Sequence, residues 1–174
     1  ALGIPPLPLS AKQTAELIEL LKSPPKGEET TLVELITHRV PAGVDDAAKV
    51  KASYLAAVAH GTEASPLITR VRATELLGTM LGGYNISPMV DLLDDPKVGA
   101  AAAEGLKKTL LMFDQFHDVQ EKADKGNAYA KAVLQMDSVL QQHANHWFVR
   151  ETVGLLRRTF SRLDVSSRSL FALI

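Results

Sequence analysis

Asp114, His117, Asp118 and Glu121 fall at i, i+3, i+4 and i+7, so a continuous helix lines up all four on one face. Imidazole and carboxylate together suit a divalent metal. The plainer reading of the same spacing is a solvated charged face. His143 and His146 stand three apart beside Trp147 and Phe148. One of them could ligate a metal or the central ion of a tetrapyrrole, with the aromatics covering the ring. An aromatic helix end with a hydrogen-bonded histidine accounts for the pattern as well. Gly82-Gly83-Tyr84-Asn85 has the glycines of a phosphate cradle, but neither the GK[ST] ending of a P-loop nor the strand that precedes a dinucleotide fingerprint. Glycines after a helix more often serve as left-handed caps. No GxSxG or HExxH occurs, so nucleophilic hydrolysis has no sequence support. No cysteine occurs either, which rules out thiol catalysis and disulfides but identifies no compartment.

The elements that must position these residues read as short helices punctuated by proline and glycine. Ser10 and Gln13 form a capping-box pattern ahead of Leu17, Ile18, Leu20 and Leu21, and Pro24-Pro25 stops that helix. A second helix carries Leu32, Val33, Leu35 and Ile36 and ends at Pro41-Ala42-Gly43. Asp45 caps a third, with Val50, Tyr54, Leu55 and Val58 inward and Gly61 past its end. Thr69 opens a fourth that runs to Gly82-Gly83. Ser87-Pro88 and Asp95-Pro96 each read as a cap followed by a proline at the first helical position. Asn127 starts a further helix after Gly126. Glu-Leu or Asp-Leu pairs at 19–20, 34–35, 75–76 and 91–92 give a faint repeat of one helix plus a tight connection. No stretch sustains strand alternation. The expected fold is all-α, a HEAT-like array of short antiparallel helices.

Composition agrees. A chain of 174 residues has room for one domain and buries roughly 70% of its unfolded surface on folding. Its 46% hydrophobic and 22% charged content is ordinary for a globular protein, and 5% aromatic with abundant alanine suits closely packed helices. A net charge of −1 gives no global attraction to nucleic acid or to an anionic membrane. The longest uncharged run near the middle, Leu76–Val90, is too short and too interrupted to cross a membrane.

Two stretches, ELLGTMLGGYNISPMVDLLDD (75–95) and TLLMFDQFHDVQEKADKGNAYAKAVLQ (109–135), contain words, LGTMLGGYNI and LLMFDQF, that helix periodicity alone does not explain. With GIPPLPL, ELLKSPP, HRVPAGVDDAAKVKA and SPLIT, they resemble the amino-terminal helical domain of aconitase B, the bacterial-type aconitate hydratase, over about residues 3–135. The resemblance implies a HEAT-like helical domain that precedes a swivelling domain and a cluster-bearing core, and whose work is protein association and substrate channelling rather than hydration. That family holds its iron–sulfur cluster through cysteine thiolates, which this chain lacks. The family usually has an aromatic residue where His117 stands, so the resemblance gives the metal face no support. No cofactor is expected.

From Met136 the sequence departs, giving an expected division into a helical domain, 1–135, and a divergent tail, 136–174. Val149, Val153, Leu156, Phe160 and Leu163 form one apolar helical stripe, with Arg150, Arg157, Arg158 and Arg162 around it. Five arginines against Asp137, Glu151 and Asp164 make the tail +2, leaving −3 for the rest. Such a helix packs on its own domain or binds a partner or a membrane surface. Leu170 and Phe171 open the apolar end LFALI, which needs a place to be buried. On the second reading the partner-binding residues are Trp147, Phe148, Val153, Leu156, Arg157, Arg158, Phe160, Leu170 and Phe171. The leading expectation is a non-catalytic scaffold, an accessory subunit of a larger protein complex with at most peripheral membrane contact. The alternative is the amino-terminal part of an aconitase B acting with a catalytic half, and a weaker one is a small metal- or pigment-binding subunit. The start ALGIPPLPLS lacks the features of a signal peptide and an initiator methionine. Either it is trimmed, leaving a cytoplasmic protein open, or it is a mature end left by an organellar targeting peptide of a plastid or mitochondrion.

Overall fold

A computed structural model describes residues 7–81, 83–109 and 115–135. The chain divides into two units, Ala1–Leu134 and Gln135–Ile174, and the described residues other than Gln135 belong to the first. They form α1 (Ala11–Lys22), α2 (Glu29–His38), α3 (Asp46–His60), α4 (Arg70–Leu77), α5 (Ile86–Leu92), α6 (Gly99–Lys107) and α7 (Phe116–Asp124). Residues 128–135 are helical too, and no strand occurs among the described residues. The fold is all-α.

Four helix starts are set by short polar side chains that satisfy amide groups lacking an intrahelical partner. Ser10 Oγ accepts from the Gln13 N–H at 3.3 Å, while Gln13 Oε1 accepts from the Ser10 N–H at 3.0 Å, a complete capping box. Asp45 accepts from the Ala48 N–H at 3.0 Å and Thr69 from the Arg72 N–H at 3.2 Å. Asn127 accepts from the Ala130 N–H at 2.9 Å. Gly61 ends α3 at φ +80°, the left-handed cap its position suggests.

Elsewhere tertiary packing overrides the local pattern. Helix α4 stops at Leu77 rather than running on to Gly82-Gly83. A Cβ on Gly78 would lie 2.8 Å from the Gly105 Cα, so α4 ends where its backbone meets α6. Ser87 does not cap α5. The helix begins one residue earlier, and Pro88 takes its third position, where a missing N–H still costs nothing. The preceding Asn85 is fully buried and spends its amide on the Leu77 and Met80 carbonyls, at 2.9 and 3.4 Å. Asp95 closes a turn rather than a helix: its carboxylate accepts from the Lys97 N–H at 2.8 Å, and α6 starts only at Gly99. The Glu-Leu spacing does not mark equivalent positions either, since Leu20 is exposed while Leu76 and Leu92 are buried.

Helix α3 is the hub. It packs against α1, α4 and α5, while α6 packs on α4 and α5, and α2 on α1. Leu21, Ile36, Leu55, Leu77, Met89 and Leu106 fill the space between them, each worth about 1.5–3 kcal/mol when withdrawn from water. Alanines of α3 and α6 let neighbouring helices approach closely. Contacts gather the connections at two rims, Lys22 to Glu63 and Arg70 to Asp95 at one, Leu9 to Arg39 and Leu81 to Ala42 at the other.

Candidate functional site

One rim gathers the ends of α1, α3 and α5 and the starts of α4 and α6. It is charged, and three ion pairs tie its connections together. Lys22 reaches Glu63 at 2.9 Å, joining the end of α1 to the α3–α4 connection. Glu63, with Glu19, raises the Lys22 pKa. Arg70 donates through Nε to the Ala59 carbonyl at 2.7 Å, where α3 leaves carbonyls unpaired, and its guanidinium pairs with Asp95. Asp94 pairs with Lys122 of α7 and accepts from Asn127 at 2.8 Å, while Asn127 also donates to the Leu93 carbonyl at 2.8 Å. Both carboxyls sit below the usual range, Asp94 chiefly through Lys122 and Asp95 chiefly through Arg70.

The opposite rim is built from the stretch before α1, the α2–α3 connection and the α4–α5 connection, and backbone hydrogen bonds tie it together. The Leu9 N–H donates to the Arg39 carbonyl at 2.8 Å, and the Arg39 guanidinium to the Leu7 carbonyl at 2.7 Å. The Leu81 N–H donates to the Ala42 carbonyl at 2.9 Å, and the Tyr84 hydroxyl to the Val44 carbonyl at 3.3 Å. Gly83 is required there: its φ is +85°, and a Cβ would lie 2.9 Å from Val44 Cγ1. The outcome is an apolar surface held in place, with Val44 68% and Leu81 69% exposed and Leu7 87% exposed at its flank. No charged residue occurs in 40–44 or 83–86. Arg39 and Asp45 border it in sequence.

Beneath this rim lies Lys51 of α3, 1% exposed, whose ammonium donates to the Thr37 carbonyl in the last turn of α2 at 3.4 Å. A cation near that carbonyl end is favourably placed, yet burial pushes the Lys51 pKa below the ordinary lysine value. Periodicity gives no hint of it, because a lysine reads as an outward residue. A shallow cleft beside the rim is lined by Pro8, His38, Arg39, Val40 and Pro41. It contains no carboxylate to pair with the imidazole as acid and base.

Of the four residues weighed as a metal face or a solvated charged face, three fall among the described residues. His117, Asp118 and Glu121 lie exposed on α7, Glu121 pairs with Lys125 at 2.5 Å, and His117 meets Phe116 edge to face. Asp114 lies outside the described residues, as do His143, His146, Trp147, Phe148, Val153, Leu156, Arg157, Arg158, Phe160, Leu170 and Phe171. Among the described residues no three histidine, aspartate or glutamate side chains come together as a metal site, and no helix is long and apolar enough to cross a membrane. The apolar rim was absent from the sequence-based site residues, although its α4–α5 connection lies in a stretch that periodicity left unexplained.

Comparison with known proteins gives these stretches a source. Residues 1–148 match the family described as the aconitate B N-terminal domain. The chain is 63% identical over 135 residues to aconitate hydratase B of Pseudomonas aeruginosa, covering 78% of this chain and 16% of that protein. It is 61% identical over 133 residues to the Escherichia coli aconitate hydratase B, covering 76% of this chain and 15% of that one. The Salmonella typhimurium protein of the same name is 60% identical over 135 residues, with 78% and 16% covered. The chain thus spans about one sixth of the length of the curated relatives it matches. It belongs to the aconitate B N-terminal domain family.

Proposed function

We propose that this chain is the amino-terminal helical domain of an aconitate hydratase B and works by association with the remainder of such an enzyme, itself taking no part in bond making. The observation that carries the reading is the match itself: it runs through the helical body at up to 63% identity and occupies only 16% of that relative. The chemistry points the same way. A cluster acting as Lewis acid needs protein ligands, commonly thiolates, and the chain has no cysteine. Its described carboxylates and cations on the charged rim are engaged with one another rather than aimed into a cavity. Purified chain, incubated anaerobically with iron and sulfide, is expected to hydrate no aconitate. Cluster-dependent turnover by the pure chain would overturn the reading.

The second reading, an accessory subunit of another assembly in an organelle, is favoured by one feature, the apolar stripe and apolar end of residues 149–174. Truncation after Gln135 separates the two. If the tail is the docking element, the shortened chain folds by circular dichroism but loses its partner. If the helical body associates with an aconitate hydratase B, the shortened chain keeps it.

A further inference from the structure

We infer that the apolar rim around Val44, Leu81 and Tyr84 is the face on which the remainder of an aconitate hydratase B seats, an inference that rests on the function proposed above. Six large hydrophobic side chains are exposed among the described residues, and four of them, Leu7, Val44, Leu81 and Tyr84, belong to this one rim. Singly exposed apolar residues are ordinary, whereas clustered ones mark contact surfaces. These four are not scattered or loose, because the connections that present them are hydrogen-bonded to one another and Gly83 is fitted against Val44. A face held in place loses little conformational freedom on association.

The occupant follows from chemistry and from length. An uncharged apolar centre bordered in sequence by Arg39 and Asp45 has the anatomy of a lasting interface, apolar inside and polar at its edge. At the opposite rim Lys22, Glu63, Arg70, Asp95, Lys122 and Asp94 are already paired with one another, which leaves fewer groups for a partner drawn by charge. In the Pseudomonas aeruginosa relative, the matched stretch is only 16% of the chain. The domain is therefore tethered there to a body several times its size, which makes that body the partner present at the highest effective concentration.

The test uses the intact relative. Residues 1–135 of this chain replace the matched stretch of the Pseudomonas aeruginosa enzyme, and a protease site is placed after Gln135. After cleavage, the domain is expected to co-elute with the body on gel filtration. Val44→Asp with Leu81→Asp should weaken that association on the order of a hundredfold, since each removes one buried apolar contact and adds a charge to desolvate. Leu20→Asp with Val71→Asp, which alters the two exposed hydrophobics off the rim, should leave it unchanged. The milder pair Val44→Ser with Leu81→Ser, checked by circular dichroism, guards against loss of fold and should still weaken association at least tenfold. A wild-type domain that leaves the body on cleavage overturns the proposed function and this inference together. Rim variants that hold as firmly as wild type overturn the inference alone. So does a domain whose rim variants disrupt only self-association.

Discussion

The charged rim and the apolar rim connect the same helices, yet they solve the problem of a helix end in opposite ways. At the charged rim, Arg70 covers the Ala59 carbonyl and then pairs with Asp95, so each end left open by one helix is closed by a side chain of the next. At the apolar rim the backbone does the closing, Leu81 to Ala42 and Leu9 to Arg39, and the side chains are left facing water. The first arrangement consumes polar groups within the domain. The second leaves apolar area unspent. A surface whose polar groups are already engaged has little left to offer a partner, whereas the other rim gains from being covered.

The largest effect is expected from breaking the apolar rim at its tightest point. Gly83→Val places a β-branched residue at a positive φ, with its Cβ 2.9 Å from Val44. The combined strain and overpacking should cost about 2–4 kcal/mol in urea denaturation. A variant as stable as wild type would show that the two connections are not locked together as described.

Next comes Lys51, buried beneath the same rim with one long hydrogen bond. Lys51→Met keeps the length of the side chain and removes the charge, so it should stabilise the domain by about 1–2 kcal/mol at neutral pH. The sign with pH follows from the depressed pKa. The unfolded chain holds the proton to higher pH than the folded one, so wild-type stability rises as pH climbs from the folded pKa toward the ordinary lysine value. The advantage of methionine should shrink over that window. Denaturation curves for both proteins at neutral and alkaline pH check this, and a constant difference between them would contradict it.

The smallest effects belong to the charged rim. Arg70→Ala loses the hydrogen bond to the Ala59 carbonyl and should cost about 1 kcal/mol. The Asp94 and Asp95 pairs are partly exposed, so what they add is weakened by salt. Because their folded pKa values are lowered, their contribution is complete above the ordinary carboxylate pKa and fades as pH falls through the folded values. Asp94→Asn should flatten the acid limb of a thermal-stability profile without moving its neutral plateau much. A large loss at neutral pH would make this rim the stronger of the two.

What was legible in the sequence was whatever is decided within one turn of chain. The caps at Ser10, Asp45, Thr69 and Asn127 and the end at Gly61 need only their nearest neighbours, and all are where the residues place them. Local reasoning misplaced the end of α4 and the start of α5, because Gly78 meets Gly105 and Asn85 reaches back to Leu77, contacts between residues far apart or against the usual direction. Lys51 was illegible because charge reads as exposure. The apolar rim was half legible: Leu81 and Tyr84 stood in a word without a helical period, a sign of a connection under constraint, but periodicity cannot say that it touches the connection at 42–44. The tail candidates from His143 to Phe171 lie outside the described residues, so the sequence reading of them stands as an expectation.

The central claim is that this domain works joined to the remainder of an aconitate hydratase B. Its most direct test is native purification of the untagged protein from its own cells, followed by sizing and peptide identification of whatever migrates with it. The account predicts a stable species in which the domain, on one polypeptide or two, travels with the cysteine-bearing body of such an enzyme and with its hydratase activity. A domain that migrates alone, or within a complex containing no such body, would contradict it.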